Sequence, residues 1–266
     1  MKLHDQHLHS SFSADSEADL LKYYQTAKRN NCKYFITTEH VDLDISMDGL
    51  DWLADFECLS KKLKMIEEND GPKTLLGIEM GYRKDKLDRL TKLLNSYEFD
   101  LVNLSIHDGG PILKMDYYFR DGFIKYGYKK TITTYYEQML EAVSTFDNFN
   151  VLSHINYGFK TLRYIQKDYD FFEDKDIIEK ILKVLIFKGK ALEVNTKVCS
   201  AFDDSHLIEL LKFYKSLGGS KLTLSSDGHD NDHYLHMFDY YKKIIKDCGF
   251  DYLCYYVKRE EYHYDI

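Results

Sequence analysis

Apolar positions along this chain recur with two periods. Short runs rich in apolar and β-branched residues end in polar side chains, and each is followed by a longer stretch with apolar residues three and four apart. The short runs are Lys2–His9, Lys33–Glu39 (KYFITTE), Thr74–Met80 (TLLGIEM), Leu101–Ile106 (LVNLSI), Phe149–His154, Ala191–Asn195 (ALEVN) and Lys221–Ser226 (KLTLSS). The stretches after them predict helices over Glu17–Asn30, Trp52–Asn69, Asp85–Ser96, Thr133–Ser144, Asp176–Lys188, Ser205–Leu217 and His233–Cys248. In the first of these Leu20, Leu21, Tyr24 and Ala27 share a face, and Ser16 with Asp19 has the spacing of a capping box. A last extended stretch, Tyr252–Lys258 (YLCYYVK), follows. Seven strand–helix units predict an α/β fold, as a parallel barrel or a doubly wound sheet. Two prolines, no Pro- or Gly-rich linker and no internal repeat leave nothing to divide residues 1–266, a length that suits a single barrel domain.

The polar residues that close the short runs favour the barrel. They are His7 and His9 with Asp15 shortly after, then His40, Glu79, His107 and His154, and at the seventh run Asp227 and His229. In a parallel barrel all strand C-termini open on one face, where the strand–helix loops build the site. Six of the eleven histidines and three carboxylates then point into one pocket. Neutral imidazole and carboxylate are ligands for divalent ions, and nine of them exceed the three or four that one zinc uses. Strand side chains alternate with period two, so His7 and His9 fall on one face and can hold the same ion. Each residue alone has a blander reading: an exposed face for the His-x-His pair, a helix cap for Asp15, satisfied core histidines for His107 and His154. Glu79 is more telling, because an acid ending a buried apolar run is costly without a partner. Glu193 and Asn195, at the end of the sixth run, read either as groups that orient ligands or as satisfied barrel polars. His4, His206, His233, His236 and His263 fall outside the pattern and read as structural or solvated.

Composition narrows the function classes. Aromatics at 15%, with 23 tyrosines, are too many for a disordered chain. No apolar run reaches membrane-spanning length, and the polar N-terminus lacks the apolar core of a signal peptide. Five cysteines without a C-x-x-C pair read as reduced thiols in a cytoplasmic protein. Forty-four acids against 36 bases give a net charge of −8, which disfavours nucleic acid as a partner and leaves room for a small phosphorylated substrate in a locally positive pocket.

The segments DQHLHSSFSAD, TTEH, GIEMG, LSIHD, LSHI and SSDGHD, in that order, resemble the polymerase-and-histidinol-phosphatase (PHP) family of metallophosphoesterases across nearly the whole chain. The length, with no attached polymerase, and the tail GFDYLCYYVKREEYHYDI are most similar to its monofunctional bacterial branch. The resemblance implies a distorted seven-stranded (β/α) TIM-like barrel and two or three divalent ions, zinc, manganese or iron. It implies one ion on His7, His9, Glu79 and Asp227, a second sharing Glu79 and adding His107 and His154, and a third on Asp15, His40 and His229. The implied activity is hydrolysis of the phosphomonoester of L-histidinol, in histidine biosynthesis, by in-line attack of a metal-bound hydroxide. Asp227 and His229 are then also candidates for catalysis, by assisting the leaving group. Lys160, Arg163 and Lys197 are candidate phosphate clamps. The long loop after His107 supplies Asp116 for the cationic end of the substrate, with Arg120 beside it. Asn156 stands where the family often has Asp, which leaves the metal ligands intact and bears on substrate contacts. Competing readings are a phosphoesterase of the same scaffold acting on nucleotides or oligonucleotide ends, a metal-dependent amidohydrolase, and a metal-binding domain without activity.

Overall fold

The two periods become two layers. The computed structural model describes residues 4–44, 50–109, 124–159 and 173–266. Strands β1 (Tyr34–Asp42), β2 (Trp52–Leu53), β3 (Lys73–Gly81), β4 (Leu101–Ser105), β5 (Val151–Leu152), β6 (Ala191–Asn195) and β7 (Leu222–Ser225) form one curled sheet in the order β2-β1-β3-β4-β5-β6-β7. β1 and β3 to β7 run parallel, and β2 pairs antiparallel with β1 at the edge. Helices α1 (Leu20–Arg29), α2 (Phe56–Ile66), α3 (Leu87–Ser96), α4 (Tyr128–Thr145), α5 (Lys175–Lys188), α6 (Asp204–Ser216) and α7 (Phe238–Asp247) surround it.

The residues predicted as a first strand do close the barrel, with a sparser ladder than a strand has. Leu8 forms a single parallel bridge with Gly228. Its carbonyl accepts from Thr38 N–H at 2.8 Å on the β1 side, while His9 N–H donates to Gly228 O at 2.8 Å on the β7 side. Side chains take over the other backbone positions. Thr38 Oγ1 accepts from Leu8 N–H at 3.1 Å, and the Gln6 amide both donates to Tyr256 O at 2.8 Å and accepts from Tyr256 N–H at 2.6 Å. Asp5 accepts from Ser226 and from Leu235 N–H, which ties the segment to the end of β7.

Alternation with period two then sorts every strand. Phe35, Ile78, Met80, Val102, Leu104, Leu152, Leu192, Val194, Leu222 and Leu224 face the helices and join their apolar stripes in the main core. The opposite faces line the barrel interior and grade along the axis. At the strand N-termini Ile36, Leu75, Leu101, Val151 and Ala191 form an apolar floor with Cys254 and Tyr256. Above it stand Thr38, Asn103, Glu193 and Thr223, all buried. At the C-termini come His40, Glu79, His107 and Asp227. The floor is sealed by an antiparallel hairpin of β8 (Tyr252–Val257) and β9 (Glu260–Asp265), where a single terminal strand was expected.

Helix starts differ from the periodic reading in several places, and α4 begins at Tyr128 rather than at the predicted Thr133. Asp19 itself caps α1, accepting from Leu21 and Lys22 N–H, a contact worth about 1 kcal/mol. Ser16 is not part of a capping box, since its hydroxyl bonds the carbonyl of His9 at 2.9 Å and lies 2.8 Å from that of His229. Trp52 belongs to β2, and α2 begins only after its cap Asp55. The last helix starts at Phe238 rather than His233, after a separate turn over Asn231–His233.

Candidate metal centre

Because inward positions of parallel strands end together, the barrel mouth collects what the sequence distributed over 223 residues, from His7 to His229. His7 and His9 come from the closing segment and Asp15 from the loop before α1. His40 and Glu79 lie on β1 and β3, where they are register partners, and His107, His154, Asp227 and His229 follow β4, β5 and β7. Two of them leave ordinary strand geometry. His154 has φ 22° and Asp227 φ 51°. Alternation from Val151 would turn His154 outward; the left-handed backbone turns it in, and Glu193 holds its N–H at 2.7 Å. Strain of this kind persists where surrounding bonds fix it, and it collects at functional sites.

Glu79 is the hub and is fully buried. Its Oε1 lies 2.7 Å from His154 Nε2, 3.1 Å from His107 Nε2 and 3.3 Å from His7 Nε2, and it accepts from the Ser105 hydroxyl at 2.7 Å. Its Oε2 lies 2.9 Å from His40 Nδ1 and 3.3 Å from His9 Nε2. Asp227 Oδ1 stands 3.4 Å from both His9 Nε2 and His229 Nδ1, and 3.5 Å from Lys197 Nζ. Asp15 reaches His229 Nε2 at 3.3 Å and His40 Nε2 at 3.5 Å. The cleft above these groups has a volume of about 270 Å³, and Trp52, Tyr157 and Lys197 complete its wall.

The electrostatics are those of a crowded ligand set. Burial raises the cost of a charge on Glu79, yet His7, His107 and His40 hold its carboxyl well below the usual range. Burial likewise opposes ionisation of Asp227, and Lys197 and His7 outweigh it. For His107 burial disfavours the imidazolium, but Asp42 and Glu79 win and push its pKa up to about 10. His7 is raised against burial by Glu193 and Glu79, and His40 against burial by Glu79 and Asp15. His9 goes the other way, down to about 4, through burial and the neighbouring His40 and His229.

The residues fit divalent ions on a separate observation. His7 Nε2, His9 Nε2, His40 Nδ1, Glu79 Oε2 and His154 Nδ1 are buried and make no hydrogen bond. Among these, His7 Nε2, His9 Nε2 and Glu79 Oε2 converge in the barrel mouth, and leaving them uncoordinated would carry a large desolvation cost. Several triads, among them His7/His9/Glu79 and Glu79/His107/His154, place one nitrogen or oxygen each within 4.8 Å of the others. Imidazole and carboxylate are suitable donors for zinc, manganese or iron.

Lys197, on the turn Thr196–Cys199, enters the cleft, with Nζ 2.8 Å from His229 Nδ1. Lys160, Arg163, Asp116 and Arg120 lie outside the described residues. Asp108 is buried, and Arg83 donates to it at 3.4 Å. Asn156 lines a separate apolar pocket with Tyr136, Ile155 and Phe159. Glu193 meets His7 Nδ1 at 2.6 Å and accepts from Ser225 and Asn195, the contacts an orienting group would make. Asp42 was missed. It lies fully inside the site, 2.8 Å from His107 Nδ1, and its signal was available, since it stands two positions after His40 on the same strand face. Trp52 and Tyr157 were not chosen either; one was assigned to a helix and the other sits in a turn. Among the remaining histidines, His4 stacks on Tyr255 at 4.0 Å, and His233 and His263 pair with Asp230 and Glu261.

Comparison with known proteins points the same way. The PHP domain family matches residues 5–197. A histidinol-phosphatase of Lactococcus lactis is 31% identical over 238 residues, 86% of this chain and 85% of that protein. A probable histidinol-phosphatase of Clostridium acetobutylicum is 27% identical over 251 residues, 92% of this chain and 93% of its own. The crystal structure of histidinol phosphate phosphatase from Lactococcus lactis, complexed with zinc, L-histidinol and phosphate, superposes with a TM-score of 0.81 over 98% of each chain, at 26% identity.

Proposed function

The chain belongs to the PHP domain family, and from that premise we propose that it is a metal-dependent phosphomonoesterase that hydrolyses L-histidinol phosphate to L-histidinol and phosphate. The observation that carries this reading is the barrel mouth itself: orphaned, buried imidazole and carboxylate atoms beneath a small cleft with a lysine in its wall. The relative crystallised with zinc, L-histidinol and phosphate supports the substrate and the cofactor class.

His7, His9, Glu79 and Asp227 would hold one divalent ion, Glu79, His107 and His154 a second, and Asp15, His40 and His229 a third; two or three ions of zinc, manganese or iron suit these donors. Such ions, when bound, polarise phosphate oxygens and lower the pKa of water. The chain's own residues do the rest. Lys197 presents a fixed cation beside Asp227 and His229, where it meets the charge that builds on the phosphoryl oxygens. Asp227 stays ionised, so it is not the group that gives a proton to the leaving alcohol. Lys197 and His229, which border Asp227, would supply N–H donors to the departing alkoxide. Trp52 and Tyr157 offer aromatic faces to an imidazole, and Asp15, whose side chain is 35% exposed, offers a carboxylate to an ammonium. Lys160, Arg163, Asp116 and Arg120 are kept as further substrate contacts on sequence grounds.

A small phosphorylated substrate, a single domain, a cytoplasmic place in histidine biosynthesis and no nucleic-acid partner complete the reading. The net charge of −8 and the five unpaired cysteines support it, and no helix among the described residues is long and apolar enough to cross a membrane. Phosphate release from histidinol phosphate, AMP, a short oligonucleotide and p-nitrophenyl phosphate, with metal analysis of the same preparation, tests it. Histidinol phosphate is expected to give the highest kcat/KM and chelator to abolish turnover. A preference for AMP or the oligonucleotide, or full activity in chelator, overturns the assignment.

A further inference from the structure

We propose that Asp42 is a positioning residue that serves two metal positions at once, one carboxylate oxygen for each, and that Gly81 exists to make room for it. The proposal rests on the ligand set given above. A neutral imidazole that coordinates through one nitrogen carries its hydrogen on the other, and that hydrogen needs an acceptor outside the ion's own ligands. His107 directs Nε2 at Glu79, 3.1 Å away, so its hydrogen belongs on Nδ1, which lies 2.8 Å from Asp42 Oδ1. His40 directs Nε2 at Asp15, 3.5 Å away, on the other side of the site. Its Nδ1 has two carboxylate oxygens nearby, Glu79 Oε2 at 2.9 Å and Asp42 Oδ2 at 3.4 Å, and bonds neither. Glu79 is committed as the hub, with five imidazole nitrogens within 3.3 Å of its two oxygens. Asp42 Oδ2, itself buried and without a hydrogen bond, is left for His40.

Glu193 does the comparable work for one ligating ring only, through His7 Nδ1 at 2.6 Å. The neighbouring strand confirms how closely Asp42 is fitted. A Cβ on Gly81 would stand 1.8 Å from Asp42 Oδ1 and 3.4 Å from Val41 O, so a side chain there displaces the carboxylate. The substitution tests position without changing the chemistry of Asp42.

Full-length protein is stripped of metal and titrated with zinc against a chromophoric chelator, for the wild type, Asp42→Asn, Gly81→Ala and Glu193→Gln, with unfolding temperature of each metal-free protein measured alongside. Loss of an orienting carboxylate lowers affinity by about 10- to 100-fold. Asp42→Asn and Gly81→Ala are expected to weaken by that factor the two zinc ions held by His40 and His107, whereas Glu193→Gln, which meets His7 Nδ1 and the His154 N–H, spares the ion held by His40. Asp42→Asn that binds all its zinc as wild type does, or that weakens a single ion, overturns the proposal. Gly81→Ala that binds zinc as wild type does overturns the part assigned to Gly81. Wild-type protein that takes up no zinc, manganese or iron overturns the ligand set instead, so the two failures are distinguishable. Equal weakening of every ion by all three variants, with metal-free unfolding temperatures lowered together, marks a general packing defect and also counts against it.

Discussion

His9 and His107 sit within one cluster and are driven in opposite directions, because burial acts on both and their neighbours differ. His9 faces two other imidazoles and stays neutral above about pH 4, while His107 lies between Asp42 and Glu79 and stays charged up to about pH 10 in the metal-free protein. The linkage has a definite sign. His107 is raised from 6.5 to about 10, so its contribution to stability is complete below pH 6.5 and is lost as pH rises through 10. Asp42 is lowered from 3.8 to about 2, so its contribution is present above pH 3.8 and lost as pH falls through 2. Thermal denaturation in chelator should therefore show Tm falling between pH 6.5 and 10; a Tm that climbs over that window would contradict the assignment. Metal must displace the same protons, so the stabilisation that zinc adds should grow with pH across the interval. His9→Ala and Glu79→Ala remove a ligand and the hub respectively, and each should lower kcat by at least about 100-fold, the scale of losing a metal-binding partner. Near-normal turnover in either would remove the metal mechanism.

At the scale of elements, the closing segment is the least regular part of the barrel and the most dependent on side chains. Gln6 replaces two ladder bonds with its amide, one donated and one accepted at Tyr256. Gln6→Ala leaves both backbone groups of Tyr256 buried without those partners, a loss of about 1–3 kcal/mol. At about 2–4 °C per kcal/mol for a chain of this size, the unfolding temperature should drop by several degrees, and an unchanged Tm would show that water replaces the amide freely. Element existence was legible wherever period two or 3.6 persisted: β6 falls on the predicted residues, and α5 starts one residue early. Boundaries slipped where a residue's role was tertiary. Trp52 reads as the start of a helical stripe, yet it pairs with Asp42 across the sheet edge. The β8–β9 hairpin escaped prediction because its turn, Lys258–Arg259, has positive φ at both residues and none of the Asn-Gly chemistry that usually marks such a turn.

For the whole molecule, cofactor and fold share one free-energy balance. Carboxylates and imidazoles, most of them buried, are gathered in a single barrel mouth, so ions that bind the folded chain alone stabilise it. Adding chelator to the metal-loaded protein should lower Tm, and zinc should restore it. Equal Tm values with and without metal would mean that the cluster is satisfied by its own protons. The formal charge of −8 takes on another sense beside such a site, since it omits bound cations, and two divalent ions alone would bring a charge of +4 into the pocket that receives phosphate.

The sequence by itself determined the alternation of strands and helices, the barrel, and the nine polar residues at the strand ends, because these depend on local period and on which residue types follow each apolar run. Period two even carried the interior gradient from Ile36, Leu75 and Leu101 at the floor to His40, Glu79 and His107 at the mouth. Only the tertiary structure decided how the site is supported. Period two places Asp42 and Glu193 on the inner face, and only register sets them against His107 and His7. His154 points inward by a left-handed backbone that no alternation predicts, and Gly81 is explained by a carboxylate on the neighbouring strand. Distances between residues far apart in the chain are set by sheet register and barrel closure, and no local pattern encodes them.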